Sequence, residues 1–346
     1  MSIEEEIRAL EEEILRTQKN KATEHHIGRL KAKIARLREE QERRTAARAK
    51  KGGGVRKSGD ATVTLVGPVG AGKSTLVSRL TGARTSEDPY SMEITPGILQ
   101  HRGAKIQILD VPDITVSGDA LSAVRDSDLV LLVTEPYGGS LDPYLNRLYQ
   151  SGVRLNQNPP SVLIRKTSRG GISVTSTVDP GIDRGSIEAI LREYRIHSAD
   201  VLIRERLSQE RFIDALEANR RYIKAIHVMN KVDILDPEKR EPDGDVIPAS
   251  AIDGTGLERL KDEIFDRLEL IRIFMKPQGR PPDLDEPMIM RRGASIGDLC
   301  DRIHKDFRQR FRYATVWGSS AKHNGQRAGL DHILSDGDIV TIVLEK

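Results

Sequence analysis

Apolar residues recur at helical spacing from the start of the chain, at Ile3, Ile7, Leu10 and Ile14 and again at Ile27, Leu30, Ile34 and Leu37, each set surrounded by Glu, Lys and Arg. An apolar stripe on an otherwise charged helix needs a partner stripe, so the pattern predicts two helices packed as a hairpin. The break falls at Asn20-Lys21-Ala22-Thr23, with Thr23 or Asn20 the expected cap of the second helix.

Beyond the hairpin the period changes. β-rich apolar runs at Ala61 to Val66, Ile106 to Asp110, Leu129 to Val133 and Ile223 to Met229 alternate with helical stretches, which implies a parallel-type sheet in an α/β fold. A switch-like loop is expected before Ile106. The alternation is interrupted by β-rich pieces at Val162 to Arg165 and Ile172 to Val178 and helices near Ser186 to Tyr194 and Ser208 to Arg221, as an insertion would do. From Ile271 a new order begins: Ile271 to Met275, Met288 to Met290, a helix with Ile296, Leu299, Ile303 and Phe307 on one side, then Ala314 to Trp317 and Ile339 to Val343. That order predicts a small β-grasp-like module with Cys300 and Trp317 in its core. The expected boundaries are a hairpin at 1–52 with a linker to 59, the α/β domain at 60–153 and 222–270, a small αβ insertion at 154–221, and the β-grasp module at 271–346.

Charge narrows the partners. The chain has 55 basic and 52 acidic residues, a net +3, so any affinity for nucleic acid has to come from local patches. Two such patches stand out. One gathers Arg43, Arg44, Arg48, Lys50, Lys51, Arg56 and Lys57 around Gly52-Gly53-Gly54, and the other places Arg302, Lys305, Arg308, Arg310 and Arg312 near Phe311 and Tyr313. Each reads as a solvated surface or as an RNA contact. The single cysteine excludes an intrachain disulfide and a cysteine zinc cluster. The acidic first residues and the lack of any apolar run near about 18 residues lead us to expect a cytoplasmic protein without a membrane partner.

The chemistry concentrates in Gly67-Pro68-Val69-Gly70-Ala71-Gly72-Lys73-Ser74, followed by Thr75. Two glycines framing four residues, then Lys and Ser, between a strand and a helix, form a P-loop, the phosphate-binding loop of nucleotide enzymes. Glycines let backbone N–H groups converge on phosphates, the helix N-terminus adds positive potential, Lys73 supplies a charge and Ser74 can hold Mg²⁺. Asp110 ends an apolar strand, where its carboxylate would face the same ion. Two later stretches name the base. In Asn230-Lys231-Val232-Asp233 the carboxylate of Asp233 can accept paired bonds from the N1–H and 2-amino group of guanine, donors that adenine lacks. Asn230 would fix the loop, the Lys231 stem would cover the ring, and the backbone at Ser250 and Ala251 would donate to the guanine carbonyl. GTP or GDP is therefore the expected ligand.

Taken together the residues resemble the developmentally regulated GTP-binding protein family, relatives of Obg-type GTPases, as a divergent member of archaeal type. The marks are Lys19-Asn20-Lys21-Ala22-Thr23-Glu24-His25-His26, Lys57-Ser58-Gly59-Asp60-Ala61, Gly103-Ala104-Lys105-Ile106-Gln107 and Gly170-Gly171-Ile172-Ser173. Asn230-Lys231-Val232-Asp233, Trp317-Gly318-Ser319-Ser320 and Gly329-Leu330-Asp331-His332 complete them. The resemblance implies a helical hairpin, a P-loop GTPase domain with an αβ insertion, and a C-terminal TGS domain of ubiquitin-like fold. It also implies action on ribosomes, with a small stabilising partner protein.

Three departures from the family pattern, and one feature shared with it, bear on hydrolysis. The first switch reads Tyr90-Ser91-Met92-Glu93-Ile94-Thr95-Pro96-Gly97, leaving Ser91 or Thr95 to stand in for the Mg²⁺-binding threonine. Asp113 stands where the family has a glycine whose N–H approaches the γ-phosphate. Gly70 replaces a polar side chain that relatives set beside a potassium ion, which argues against potassium here. Ile114 is apolar where Ras-like enzymes orient water with glutamine, as the family also is. The first reading is thus a slow Mg²⁺-dependent GTPase in which Lys73 and Ser74 act on the phosphates. The alternative is a hydrolysis-impaired guanine-nucleotide adaptor docking on RNA or a partner protein. A small-metabolite kinase is disfavoured by Asn230 to Asp233.

Overall fold

The computed structural model describes residues 2–18, 20, 23–49, 57–83, 93–236, 238 and 244–345. Helix α1 (Ile3–Arg16) opens on a capping box in which the Ser2 and Glu5 side chains each accept from the other's backbone N–H. It is followed by α2 (Glu24–Ala49). In the turn between them Thr23 N donates to Asn20 Oδ1 at 3.0 Å and Asn20 N to Thr23 Oγ1 at 3.1 Å, so both expected cap residues take part. Strand β1 (Ala61–Val66) and helix α3 (Lys73–Thr81) flank the glycine-rich loop, and then come β2 (Thr95–His101), β3 (Ala104–Asp110), α4 (Gly118–Asp126), β4 (Leu129–Thr134) and α5 (Asp142–Gln150). Next are β5 (Val153–Leu155), β6 (Val162–Lys166), β7 (Ile172–Ser176), α6 (Arg184–Glu193), β8 (Ala199–Ile203), α7 (Gln209–Leu216) and β9 (Arg221–Met229). The chain closes with β10 (Val246–Pro248), α8 (Leu257–Arg267), β11 (Leu270–Met275), β12 (Met288–Arg291), α9 (Ile296–Ile303), α10 (Lys305–Gln309), β13 (Phe311–Trp317), β14 (Gln326–Ala328) and β15 (Ile339–Leu344). Among the described residues no helix is long and apolar enough to cross a membrane.

These elements form two compact units, Met1–Gly53 with Leu145–Ile223, and Gly54–Tyr144 with Lys224–Lys346. In the first, α2 is buried on two faces. Leu30 and Ile34 meet Ile7 and Leu10 of α1, while Ala32 joins Ile187, Ile190, Leu191, Phe212 and Ile213 of α6 and α7. The predicted hairpin is therefore also packed against the insertion. Lys31 Nζ lies 2.5 Å from Glu210 Oε1, and Gln209 Nε2 donates to the Glu24 carbonyl at 2.9 Å. The insertion contains a three-stranded sheet ordered β6-β8-β7, where two strands were expected. Its central strand β8 carries Asp200 in the middle of an otherwise apolar run, which hides it in the sequence. Helix α7 stops at Leu216, short of the expected Arg221, because Arg221 to Ile223 pair in parallel with β5.

The second unit carries the larger sheet, ordered β10-β9-β4-β1-β3-β2. Its pairings are parallel except β2 with β3. That hairpin replaces part of the expected switch-like loop. It turns at Arg102 and Gly103, both with positive φ (49° and 83°), the geometry that matches the twist of paired antiparallel strands. Strand β1 is buried along its whole length, as a central parallel strand must be. The C-terminal part is a five-stranded sheet ordered β12-β11-β15-β13-β14 with Ile296, Leu299 and Cys300 of α9 in its core. Trp317 departs from expectation. On β13 it is Ala314 and Val316 that point into the core, and strand alternation leaves Trp317 half-buried on the other face, with Lys276 Nζ 4.9 Å from its ring.

Candidate functional site

The buried β1 delivers the chain to Gly67, where only glycine fits: a Cβ there would lie 2.0 Å from the Val133 carbonyl oxygen. Gly72 is similarly fixed, with φ at 81° and a hypothetical Cβ only 2.4 Å from Asn230 Nδ2. Between them Pro68 is half-buried, Val69 and Gly70 are exposed and Ala71 is buried, so the middle of the loop faces solvent over a fixed base. Gly72 precedes the first turn of α3, whose backbone N–H groups form a positive end. Lys73 Nζ donates to the carbonyls of Gly67 and Pro68, both at 2.9 Å. Burial lowers its pKa against the opposing pull of Asp110 and Asp113. Thr75 is exposed on the first turn.

The metal-binding candidates converge. Burial raises the pKa of Asp110 at the end of β3, while a side-chain hydrogen bond with Ser74 and the charge of Lys73 pull it down. Thr95 is the register partner of Asp110 across the β2–β3 pair, so their side chains share one side of the sheet. Ser91, the other stand-in, lies outside the described residues. Among the described residues no group of three or more His, Cys, Asp or Glu gathers for a metal. One carboxylate with two hydroxyls instead offers the few hard oxygen ligands that suit Mg²⁺ when phosphate oxygens complete its shell.

The base-recognition candidates are tied to the phosphate loop through Asn230, which is only 1% exposed. Its Nδ2 donates to the carbonyls of Ala71 at 2.9 Å and Gly72 at 3.4 Å, and its Oδ1 accepts from Ala251 N at 3.2 Å. One amide thus joins three segments distant in sequence. Lys231 adopts a left-handed backbone (φ 61°), and its Nζ pairs with Glu135 Oε2 at 2.5 Å. Asp233 accepts from the buried Ser250 Oγ at 2.6 Å, and the same Oγ accepts from Ile252 N and Asp253 N. Glu135 was missed in the sequence, since a carboxylate after an apolar strand carries no partner label.

Asp113 is held tightly. Its Oδ1 accepts from Thr115 N at 2.8 Å and Thr115 Oγ1 at 2.6 Å, and its Oδ2 accepts from Tyr144 Oη at 3.2 Å. Burial works to raise its pKa, but these bonds and the charge of Lys73 outweigh it and the pKa is lowered. Tyr144, buried beside this charge, is pushed up to about 12 and stays a donor at neutral pH. Ile114 is only 1% exposed, a core residue in the position compared above with a water-orienting glutamine.

The basic candidates are largely engaged within the protein. Arg302 pairs with Asp60 at 2.9 Å, Arg308 pairs with Asp301, Arg310 donates to the Glu345 carbonyl at 2.9 Å, and Arg44 pairs with Glu40 at 2.5 Å. Arg327 lies over the Tyr313 ring at 4.5 Å. Lys50, Lys51, Arg56 and Gly52 to Gly54 lie outside the described residues.

A P-loop between a buried strand and a helix, an Asp–Ser pair beside it and an Asn–Lys–Asp turn hydrogen-bonded to it define a GTP-binding protein of the P-loop GTPase class. The family pattern described as 50S ribosome-binding GTPase matches residues 62–166, that of the C-terminal region of the same domain 169–270, and that of the TGS domain 271–344. An uncharacterized GTP-binding protein of Methanocaldococcus jannaschii is 51% identical over 367 aligned positions, covering 100% of this chain and 94% of that protein. The developmentally-regulated GTP-binding protein 1 homolog of Dictyostelium discoideum is 40% identical, covering 99% and 100%, and the ribosome-interacting GTPase 1 of Saccharomyces cerevisiae 39%, covering 98% of each. The chain belongs to the developmentally regulated GTP-binding protein family.

Proposed function

We propose that the protein binds GTP with Mg²⁺, hydrolyses it slowly, and works in association with the ribosome. The observation that carries the reading is the Asn230 amide, which locks the guanine-selecting turn to the carbonyls of Ala71 and Gly72 and so sets base and phosphate sites in one frame. In this reading residues 60–153 and 222–270 are the GTPase domain, 154–221 its insertion, 1–52 the hairpin and 271–346 the TGS domain.

The loop amides from Gly67 to Ser74, together with Thr75, hold the phosphates, and Lys73 moves from its loop carbonyls to neutralise the charge that grows on the β,γ-bridge. Ser74, Asp110 and Thr95 are the residues to hold Mg²⁺, which supplies charge neutralisation on the phosphate oxygens. Asp233 accepts the guanine N1–H and 2-amino donors, Lys231 lies along the ring, and the Ser250–Ala251 backbone donates to the carbonyl edge. Ile114 is buried and cannot orient water, so turnover without an external group should be slow. Gly70 brings no side-chain ligand for a potassium ion. The ribosome enters through the yeast relative's name, and with it a cytoplasmic location. RNA contact by the basic patches rests on their charge and neighbouring aromatics, and a small stabilising partner on the family resemblance alone.

A second reading, a hydrolysis-impaired adaptor, draws on Asp113, a carboxylate whose charge is felt at Lys73. Calorimetry of GDP against ADP tests the shared part. A GDP preference of at least about a hundredfold, lost in Asp233→Ala, is expected, and equal affinities would overturn both readings.

A further inference from the structure

The Asp113–Tyr144 contact joins two elements that the nucleotide chemistry above leaves unexplained. Asp113 lies in the turn that follows β3, three residues after the candidate metal ligand Asp110, and its charge acts on Lys73. Two of its three hydrogen bonds come from Thr115, inside the same turn, and would travel with the turn if it moved. The third comes from Tyr144 near the start of α5, a side chain only 8% exposed and therefore fixed in place. Within this turn Ile114 is 1% exposed and Val116 77% exposed. The Tyr144 hydroxyl is thus the one of these three donors that lies outside the turn.

An ionised carboxylate near a phosphate-binding lysine has two places to put its charge. Held on Thr115 and Tyr144, it leaves Lys73 available to a third phosphate. Released, it can swing to Lys73 and form an ion pair that the γ-phosphate must displace, as well as repelling that phosphate directly.

We propose that Tyr144 is a positioning residue that, by tethering Asp113, sets the preference of the nucleotide site between triphosphate and diphosphate. This inference rests on the guanine-nucleotide reading above and adds to it a residue for γ-phosphate discrimination. Tyr144 touches no phosphate and acts only through Asp113. Asp113 in turn acts through its charge and where it is held.

The test is a double-mutant cycle read by calorimetry on the full-length protein, using GDP and a non-hydrolysable GTP analogue with Mg²⁺. Tyr144→Phe keeps the ring and removes only the donor, and its near-ultraviolet circular dichroism checks that the fold is retained. It should weaken the analogue by about tenfold relative to GDP. Asp113→Asn should strengthen the analogue relative to GDP by a similar factor, because the charge is gone. With Asp113→Asn already present, adding Tyr144→Phe should change the ratio by less than about twofold. A Tyr144→Phe effect equal on both nucleotides, or one that persists in the Asp113→Asn background, would mean that Tyr144 serves packing alone and would overturn the inference. Failure of the unmutated protein to bind GDP at all would instead strike the guanine-nucleotide reading, and this inference with it.

Discussion

Asn230 Nδ2 and the Ala71 carbonyl oxygen are 2.9 Å apart across 159 positions of sequence. The bond is short, buried and placed where the helix-opening Gly72 leaves no room for a side chain. Asn230→Ala would strand the Ala71 carbonyl and the Ala251 amide, each a buried polar group with a desolvation penalty of about 1–3 kcal/mol when unpaired, while the Gly72 carbonyl keeps its bond from Leu76 N. GDP affinity should fall by at least about tenfold, and the denaturant midpoint should fall with it. Calorimetry and urea titration measure the two effects on one preparation.

Gly72→Ala asks the same question from the other side. A Cβ at 2.4 Å from Asn230 Nδ2, on a residue with φ at 81°, should displace the amide and weaken GDP binding about as strongly as Asn230→Ala. Because both changes break one bond, the double variant should be little worse than either single one.

In the other unit, Asp214 accepts from Arg154 Nε and Nη2 and from Arg220 Nε, each at 2.7 Å. Its side chain is 3% exposed and that of Arg154 4%. Asp214→Ala leaves two guanidinium groups buried without their counter-charge and should destabilise the protein by about 3–5 kcal/mol, read from urea unfolding. Arg184→Ala, on a surface pair with Glu188, should cost less than about 1 kcal/mol by the same assay.

The Lys31–Glu210 pair gives a pH signature. Burial opposes ionisation of Glu210, but the hydrogen bond from Lys31 prevails and holds its pKa below the ordinary 4.5. A folded-state pKa below the unfolded one contributes stability that is present above pH 4.5 and is lost as pH falls through the lowered value. Lys31→Met should therefore flatten the acid limb of the stability profile below pH 4.5 and leave its slope near neutral pH unchanged. Urea midpoints at a series of pH values measure it.

The sequence carried the parts whose cause is local. Leu30, Ile34 and their partners declare the hairpin by spacing, β1 declares itself by an unbroken apolar run, and the P-loop by glycines whose neighbours allow no side chain. The place of Asp110 at the end of β3 was legible because an apolar run stops there. What escaped was created by distant partners. Strand β2 begins Thr95-Pro96-Gly97, a poor strand start by composition, and exists because β3 lies beside it in register. β8 is concealed by Asp200, which is tolerated because that face of the small sheet is exposed. Asp113 drew attention as a departure from a glycine, yet Tyr144 could not be named as its partner, since that bond spans 31 positions. The basic residues were legible as a charged surface but not as pairs: the fold gives Arg302, Arg308 and Arg310 each an acceptor within the protein.

In the function proposed above, the loop ending in Lys73 and Ser74 turns over GTP. Phosphate release from GTP by the purified protein with Mg²⁺, measured beside Lys73→Ala and Ser74→Ala, tests it most directly. Slow release by the unmutated protein, on the order of 10⁻⁴ per second without an activator, and none above background from either variant are expected. Release that continues unchanged in both variants would contradict it.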